Sequence, residues 1–456
     1  MPACWLSRAR YAALVVCGLS FVPSSAHETP FDLVNRYVRE HDLSTIPAKS
    51  EDLSHRKFIS VGYACPHQAG NRFHAFMNGF AAAIISNRTL LWQYCGGQDA
   101  QNYTCYGESK YPGTISECAK AYTRSSWIAG LPEVSKALGY GHVQPERVTS
   151  IVDGVKMASG PSPTILDFNG WYEIDVGIVY GQEENLATLD GSARERATTL
   201  FSLGPFVAYG AMFNAAFVPT AKVRSAVDFV FGIPNSMPQP FTIGVHSRHT
   251  QSQDQGTDVS QLVGCLRKVL GEDRKVAAGK SCRILIAADR EGTIDMLRIK
   301  AGEEFGCDVL AVGKMQETHG VEKEHGPWSG LGAAIDLELL SRASDGVILD
   351  AGGAKSGHST YGYLGTELAA AAAAAHKIAE NKKGGIFTRV ELDFDRPWQC
   401  GRSWPKSQSP DTYIPAFKPR PWVFPNASVP VPVTAMRVAP PQRSAVPPWQ
   451  PRRPLR

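Results

Sequence analysis

Between residues 241 and 349 the chain repeats one alternation. Apolar, β-rich runs at 241–245, 283–287, 308–312 and 346–349 are each followed by a segment of helical character, starting near Asp258, Thr293, Gly330 and Tyr361. Strand and helix in strict alternation restrict the fold severely, because the strands then run parallel and the helices cover both faces of one sheet. Asp258, with Gln261 three residues on, suits the cap of the first of these helices. The last runs through "LGTELAAAAAAAHKIAENKK" and stops at the Gly384–Gly385 pair.

The first half begins in the same way. "KFISVGYA" reads as a strand, "CPHQAG" as a loop, Asn71 to Ser86 as a helix and "RTLLW" as the next strand. "PTILDF" and the apolar stretch around "TTLFSLGPFVAYGAMFNAAF" supply another strand and helical material. At 456 residues the chain has room for two domains with a core each. The expectation is therefore α/β, with two Rossmann-like domains facing across a cleft and a Pro-containing joint near "IPNSMPQPF". The boundaries fall at 1–26 for a leader, 27–57 for a lead-in, 58–236 and 237–395 for the two domains, and 396–456 for a tail. A ligand is expected in the cleft, at the carboxyl ends of the strands.

Charge excludes one class of partner. The net charge is +4, but residues 401–456 hold nine Lys/Arg against one Asp, so that the tail carries +8 and residues 1–400 carry −4. A folded part of that sign is no nucleic-acid surface. The tail also holds 14 of the 31 prolines, too many for a packed core, and reads as extended or disordered. At the other end, Arg8 and Arg10, an apolar stretch from Tyr11 to Val22 and "PSSA" form a secretory signal pattern with cleavage after Ala26. The stretch is shorter than the ~20 residues of a spanning helix, and a type II signal anchor is the alternative. Only as an anchor would it bring the protein to a membrane. Eight cysteines outside the leader and sequons at Asn87, Asn102 and Asn426 agree with an oxidising, secretory compartment. The cysteine pairing is left open, as is the alternative that several are buried thiols.

The residues with the most chemistry sit where strands end. "IGVHSRHT" delivers His246, Ser247 and Arg248 to the ligand edge. Neither a metal pattern nor the glycines of a nucleophile elbow surround them, and no metal is expected. An anion seat suits them better, since Arg offers a permanent charge in a planar fork and His a further donor. The plainer alternative is a buried His beside an Arg on a solvated loop. In "GGAKSGHSTYGYLG", Ser359 and Thr360 stand at the start of a helix, where free N–H groups favour a phosphate; equally, either residue caps that helix. "QAGNRFHAF" is a third strand–loop–helix junction. Asp289, directly after the second strand of the later half, suits a base or ribose, or a helix cap. "DFD" at 393–395 reads as a solvated strand face.

Taken together, "GNRFHAFMNGFAAAIISNRTLLW", "IGVHSRHT", "ILIAADRE" and "GHSTYGYL" resemble, in order, four motifs of the protein O-fucosyltransferases and the wider fucosyltransferase superfamily. The resemblance implies a GT-B fold, GDP-fucose as donor, a protein or glycan as acceptor, no cofactor, metal-independent, inverting transfer, and residence in the ER or Golgi lumen. It implies that Arg248 holds the diphosphate with His246 beside the donor, that Asp289 meets the guanosine and that Ser359 and Thr360, followed by Tyr361, meet the β-phosphate. Asn71 and Arg72 would line the facing wall. The family commonly has a second Arg and an acid after its His-x-Arg, where this chain has His249 and Thr250. The general base is therefore open among Asp254, Glu324 and His325. The alternatives are another nucleotide sugar, or a sugar-nucleotide binding protein without turnover.

Overall fold

In the computed structural model, the described residues are 28–44, 51–61, 69–92, 121–138, 146–147, 155, 158, 165–168, 183–231, 240–247, 259–273, 281–288, 291–311, 329–350, 360–383 and 398–400. The leader, the joint at 232–239, the "DFD" segment and the tail beyond residue 400 lie outside them.

Helix α1 (Pro30–Glu40) opens the described chain, with Thr29 as N-cap in a reciprocal capping box with Asp32 and Pro30 in the first turn. Strand β1 (Phe58–Val61), helix α2 (Ala69–Ser86) and strand β2 (Thr89–Trp92) follow. Asn87, at φ 55°, ends α2 in the left-handed conformation that Asn tolerates and turns the chain into β2. Then come β3 (Tyr122–Arg124), β4 (Ala129–Gly130), α3 (Leu131–Ala137), β5 (Glu146–Arg147) and β6 (Ile165–Asp167). Three helices and a short strand complete this half: α4 (Gly191–Leu200), α5 (Pro205–Ala216), β7 (Phe217–Pro219) and α6 (Ala221–Phe231). The first sheet is parallel, in the order β4-β2-β1-β6-β5, while β3 and β7 form a separate antiparallel pair.

The second half alternates as its sequence requires. It comprises β8 (Phe241–Ser247), α7 (Val259–Asp273), β9 (Cys282–Ala288), α8 (Glu291–Phe305), β10 (Asp308–Ala311), α9 (Ser329–Leu340), β11 (Gly346–Asp350), α10 (Thr360–Lys383) and β12 (Trp398–Cys400). All neighbours in the sheet are parallel and the order is β10-β9-β8-β11-β12. Both faces are covered. Ile243, Val245, Ile284, Ile286 and Ile348 meet α7 and α8, whereas Leu285, Ala287, Val347 and Leu349 meet α9 and α10. Burial on two sides is why these strands read as unbroken apolar runs and not as alternating ones. Cys282 and Cys307 form a disulfide that ties the start of β9 to the approach of β10, and Cys265 of α7 is disulfide-bonded as well.

Two features depart from the divisions read in the sequence. Strand β12 lies beyond residue 395, in the stretch whose composition marks it as tail, yet it pairs in register with Ile348, Leu349 and Asp350. Its three residues carry no periodicity of their own, and only the exposed edge of β11 gives them a partner. The second departure is that α10 does not serve the second sheet alone. Its Leu364 and Leu368, with Leu331, Ala334, Ile335 and Leu337 of α9, belong to the same buried cluster as Phe73, Phe76 and Phe80 of α2 and Tyr209, Met212 and Phe213 of α5. The contact of α5 with α10 is very close: a Cβ at Gly210 would run into the backbone carbonyl of Glu367. The two halves thus share packed helices rather than a bare hinge.

Candidate functional site

An open parallel sheet leaves a crevice where its strand order reverses, because the helices on either side of that point cover opposite faces. In the second sheet the first strand of the unit, β8, lies between β9 and β11, so the reversal falls between β8 and β11. The residue pairs there are Ile348 with Val245 and Leu349 with His246. In the first sheet the corresponding point falls between β1 and β6, where Ser60 pairs with Asp167. Ser60 and Asp167 are both buried, and the Ser60 hydroxyl stands 3.5 Å from Oδ1 of Asp167.

The carboxyl ends of the two sheets converge. Helix α2 follows β1 and helix α10 follows β11, and the two touch through His74 and Glu367, with Nε2 and Oε1 3.3 Å apart. At 1.5 Å per residue this contact is only about 10 Å along each helix from its N-terminus. Both helix starts, with their unpaired N–H groups and partial positive charge, therefore open on the same region. Burial pushes the His74 imidazole down to about 4, so that it is neutral at pH 7 even beside the carboxylate. One turn on, the Tyr209 hydroxyl donates to Asn78, a buried bond that fixes α5 against α2.

His246 is built into this edge. It is 6% exposed, Ser247 beside it is fully buried, and the imidazole lies 5.8 Å from the ring of Tyr361. Gly362 makes room for it: a Cβ there would stand 2.8 Å from His246 Nδ1 and 2.8 Å from Leu349 Cδ2. The "STYG" turn thus carries a packing reason for its glycine. Burial, with Asp336 and Glu338 nearby, pushes the Tyr361 phenol well above its ordinary range, so it stays protonated. Glu338 itself is pushed up by burial and accepts a 2.9 Å bond from Tyr122, which links β3 of the first half to α9 of the second.

The structure brings His246 and Tyr361 together at the crevice, and it puts the backbone of Thr360 at the start of α10 and of Asn71 and Arg72 in the first turn of α2. Arg248, Asp254, Asp289, Glu324, His325 and Ser359 lie outside the described residues, although Arg248 follows β8 by one residue and Asp289 follows β9 directly. Sequence reasoning missed His74, Glu367, Asn78, Tyr209, Tyr122 and Glu338. A signal was available for Glu367, a lone acid at the head of an alanine run where a core helix face would be apolar. For His74 there was none, since a His among "NRFHAF" suits a surface as well as a core.

Two Rossmann-like α/β units, each with a parallel sheet whose strand order reverses once, joined where helix α2 of one packs against helix α10 of the other, define the class of fold. No protein-family model matches the chain, and no curated protein sequence does. Among solved structures it is similar to a FUT1 mutant of Arabidopsis thaliana in complex with GDP, at 15% identity over 74% of this chain and 76% of that one, with a TM-score of 0.44. It is also similar to the fucosyltransferase NodZ from Bradyrhizobium, at 12% identity over 68% of this chain and 92% of that one, with a TM-score of 0.38. The NodZ alpha-1,6-fucosyltransferase soaked with GDP-fucose gives 13% identity over 69% and 92%, with a TM-score of 0.37. At such scores the likeness carries no weight for function, and the reading of the site rests on its own residues.

Proposed function

We propose that the chain is an inverting, metal-independent glycosyltransferase of the ER or Golgi lumen, moving fucose from GDP-fucose to a hydroxyl of a protein or glycan. One observation carries the reading. Motifs far apart in sequence, "GNRFHAF", "IGVHSRHT" and "GHSTYGYL", run out of or into the elements that flank the two reversal points, and those edges adjoin through His74 and Glu367. Nothing in the spacing of the motifs along the chain required that. On this reading the diphosphate lies against the start of α10, where backbone N–H groups, Ser359 and Thr360 meet the β-phosphate, with Tyr361 behind them. Arg248 meets the charge on the leaving group, His246 stands beside the donor, Asp289 takes the guanosine, and Asn71 and Arg72 form the opposite wall.

The transfer balances simply. The acceptor oxygen forms its bond to the anomeric carbon as the bond from that carbon to the β-phosphate oxygen breaks, the electron pair leaves with GDP, and the acceptor proton passes to a base among Asp254, Glu324 and His325. Fixed cations and amides aimed at the developing charge do the work that a metal would otherwise do, and each such contact is worth about 10²–10³ in rate.

The test is GDP-fucose binding and slow hydrolysis, with and without EDTA, for the wild type and Arg248→Ala. We expect EDTA to change nothing and Arg248→Ala to lose about 10²-fold or more in turnover. No binding of any GDP-sugar would sink the reading. Binding without turnover across acceptors would point to a sugar-nucleotide binding protein, and loss in EDTA to a metal enzyme.

A further inference from the structure

The carboxyl edge of the first sheet is accounted for above; its amino edge holds a second cavity. It has a volume of about 480 Å³ and lies where the chain enters β1 and β2, lined among others by Arg56, Lys57, Arg88, His41 and Glu40. Among the described residues that line it are three cationic side chains and one carboxylate, and Glu40 is already approached by Arg36 at 3.8 Å.

The plain explanation is that these cations cap the helices ending here. Several of the last-turn carbonyls are, however, already taken by other donors. The N–H of His41 bonds Tyr37 O in α1, while in α2 the N–H of Arg88 bonds Ala83 O, that of Asn87 bonds Ile84 O, and Nε of Arg196 bonds Ile85 O at 2.8 Å. Arg88, 1% exposed, spends Nε on the carbonyl of Ala158, and its burial pushes the guanidinium down to about 10. His41 is tied by both ring nitrogens, at 2.8 Å to Thr89 and 3.2 Å to Asn87. Arg56 is different: its Nη1 is buried and has no acceptor. A buried, charged N–H without a partner is among the more costly features a fold can hold, and a guanidinium is shaped for a tetrahedral oxyanion.

We propose that this cavity is an anion site for a small phosphomonoester, with Arg56 and Lys57 as its phosphate ligands and the rest of the volume taken by the organic part. A guanidinium and an ammonium group side by side suit a phosphomonoester, which carries about −1.5 to −2 at pH 7, better than the single charge of a sulfate ester. The volume exceeds that of bare phosphate and lies within the ~300–1,000 Å³ of small-molecule sites. The site is separate from the crevice and stands whether or not the crevice takes GDP-fucose.

Calorimetric titration of the full chain with glucose 6-phosphate tests it, with glucose 6-sulfate and glucose as controls. The phosphate ester should bind the wild type and Arg248→Ala alike, the sulfate ester more weakly and glucose not at all. Arg56→Gln/Lys57→Gln should weaken binding at least 10-fold with a melting midpoint no lower than that of the wild type. Should that double variant not fold, Lys57→Gln alone, on the exposed rim, should still weaken binding about 3-fold. Wild-type affinity in either variant, or loss of binding in Arg248→Ala, would overturn the proposal.

Discussion

Substitution of Gly362 by Ala sets two effects of known sign against each other. A Cβ at this position would lie 2.8 Å from His246 Nδ1, 3.2 Å from His246 Cγ and 2.8 Å from Leu349 Cδ2. Relaxed contacts between such atoms are ~3.5 Å or more, so the imidazole must retreat by roughly 0.7 Å. Leu349 cannot take up the strain alone, being fully enclosed in the sheet core. Overpacking of this kind costs about 1–3 kcal/mol, while removing a helical glycine returns at most ~1 kcal/mol, and less in the first turn. The net expected loss in urea denaturation is thus about 0–3 kcal/mol. The effect on function should be far larger, because a displacement approaching 1 Å at a positioned group costs on the order of 10²-fold. On the proposed function, GDP-fucose turnover should fall about 10- to 100-fold in a protein that still unfolds cooperatively. Gly264→Ala is the control: in α7, with nothing within 4 Å of the new Cβ, it should stabilise by about 0.5–1 kcal/mol and leave turnover unchanged. If Gly362→Ala matched Gly264→Ala in both stability and turnover, His246 would not be held by that contact and the reasoning would be refuted.

His74 makes stability depend on acidity. Its folded pKa, near 4, is below the ordinary 6.5, so between those values the unfolded chain binds the proton that the folded one refuses. Stability should therefore fall as pH drops from 6.5 towards 4, by about 3 kcal/mol for this group, and His41, also lowered by burial, acts in the same direction. A pH series of denaturation curves should show the slope, reduced in His74→Gln; an equal slope in that variant would remove His74 as its source. Gly210→Ala places a Cβ against the rigid carbonyl of Glu367 and should cost at least ~3 kcal/mol by parting α5 from α10, whereas stability close to wild type would mean that the two helices slide freely. Replacing Cys282 and Cys307 together by Ala opens a loop with a sequence separation of 25 and should cost about 3 kcal/mol under non-reducing conditions, with a change under 1 kcal/mol counting against a formed bridge.

The sequence alone determined the class of fold. Apolar runs at 241–245, 283–287 and 346–349 read as strands covered on both faces, and with parallel strands the carboxyl ends are where a ligand is expected; that logic singled out His246, whereas Tyr361 came from the motif resemblance. Periodicity is a local property, and so are caps and strand ends. What the tertiary structure decided is long-range: that β8 sits beside β11, that α10 leaves its own sheet to pack on α2 and α5, and that His74 therefore meets Glu367. It also decided that β12 belongs to a sheet, although its residues read as tail. The same holds for the cavity at the amino edge, assembled from Glu40, His41, Arg56, Lys57 and Arg88, where each charged side chain alone reads as ordinary surface. Such contacts depend on which helix lies against which, a choice made by shape at places such as Gly210 and Gly362, and a one-dimensional pattern does not record it.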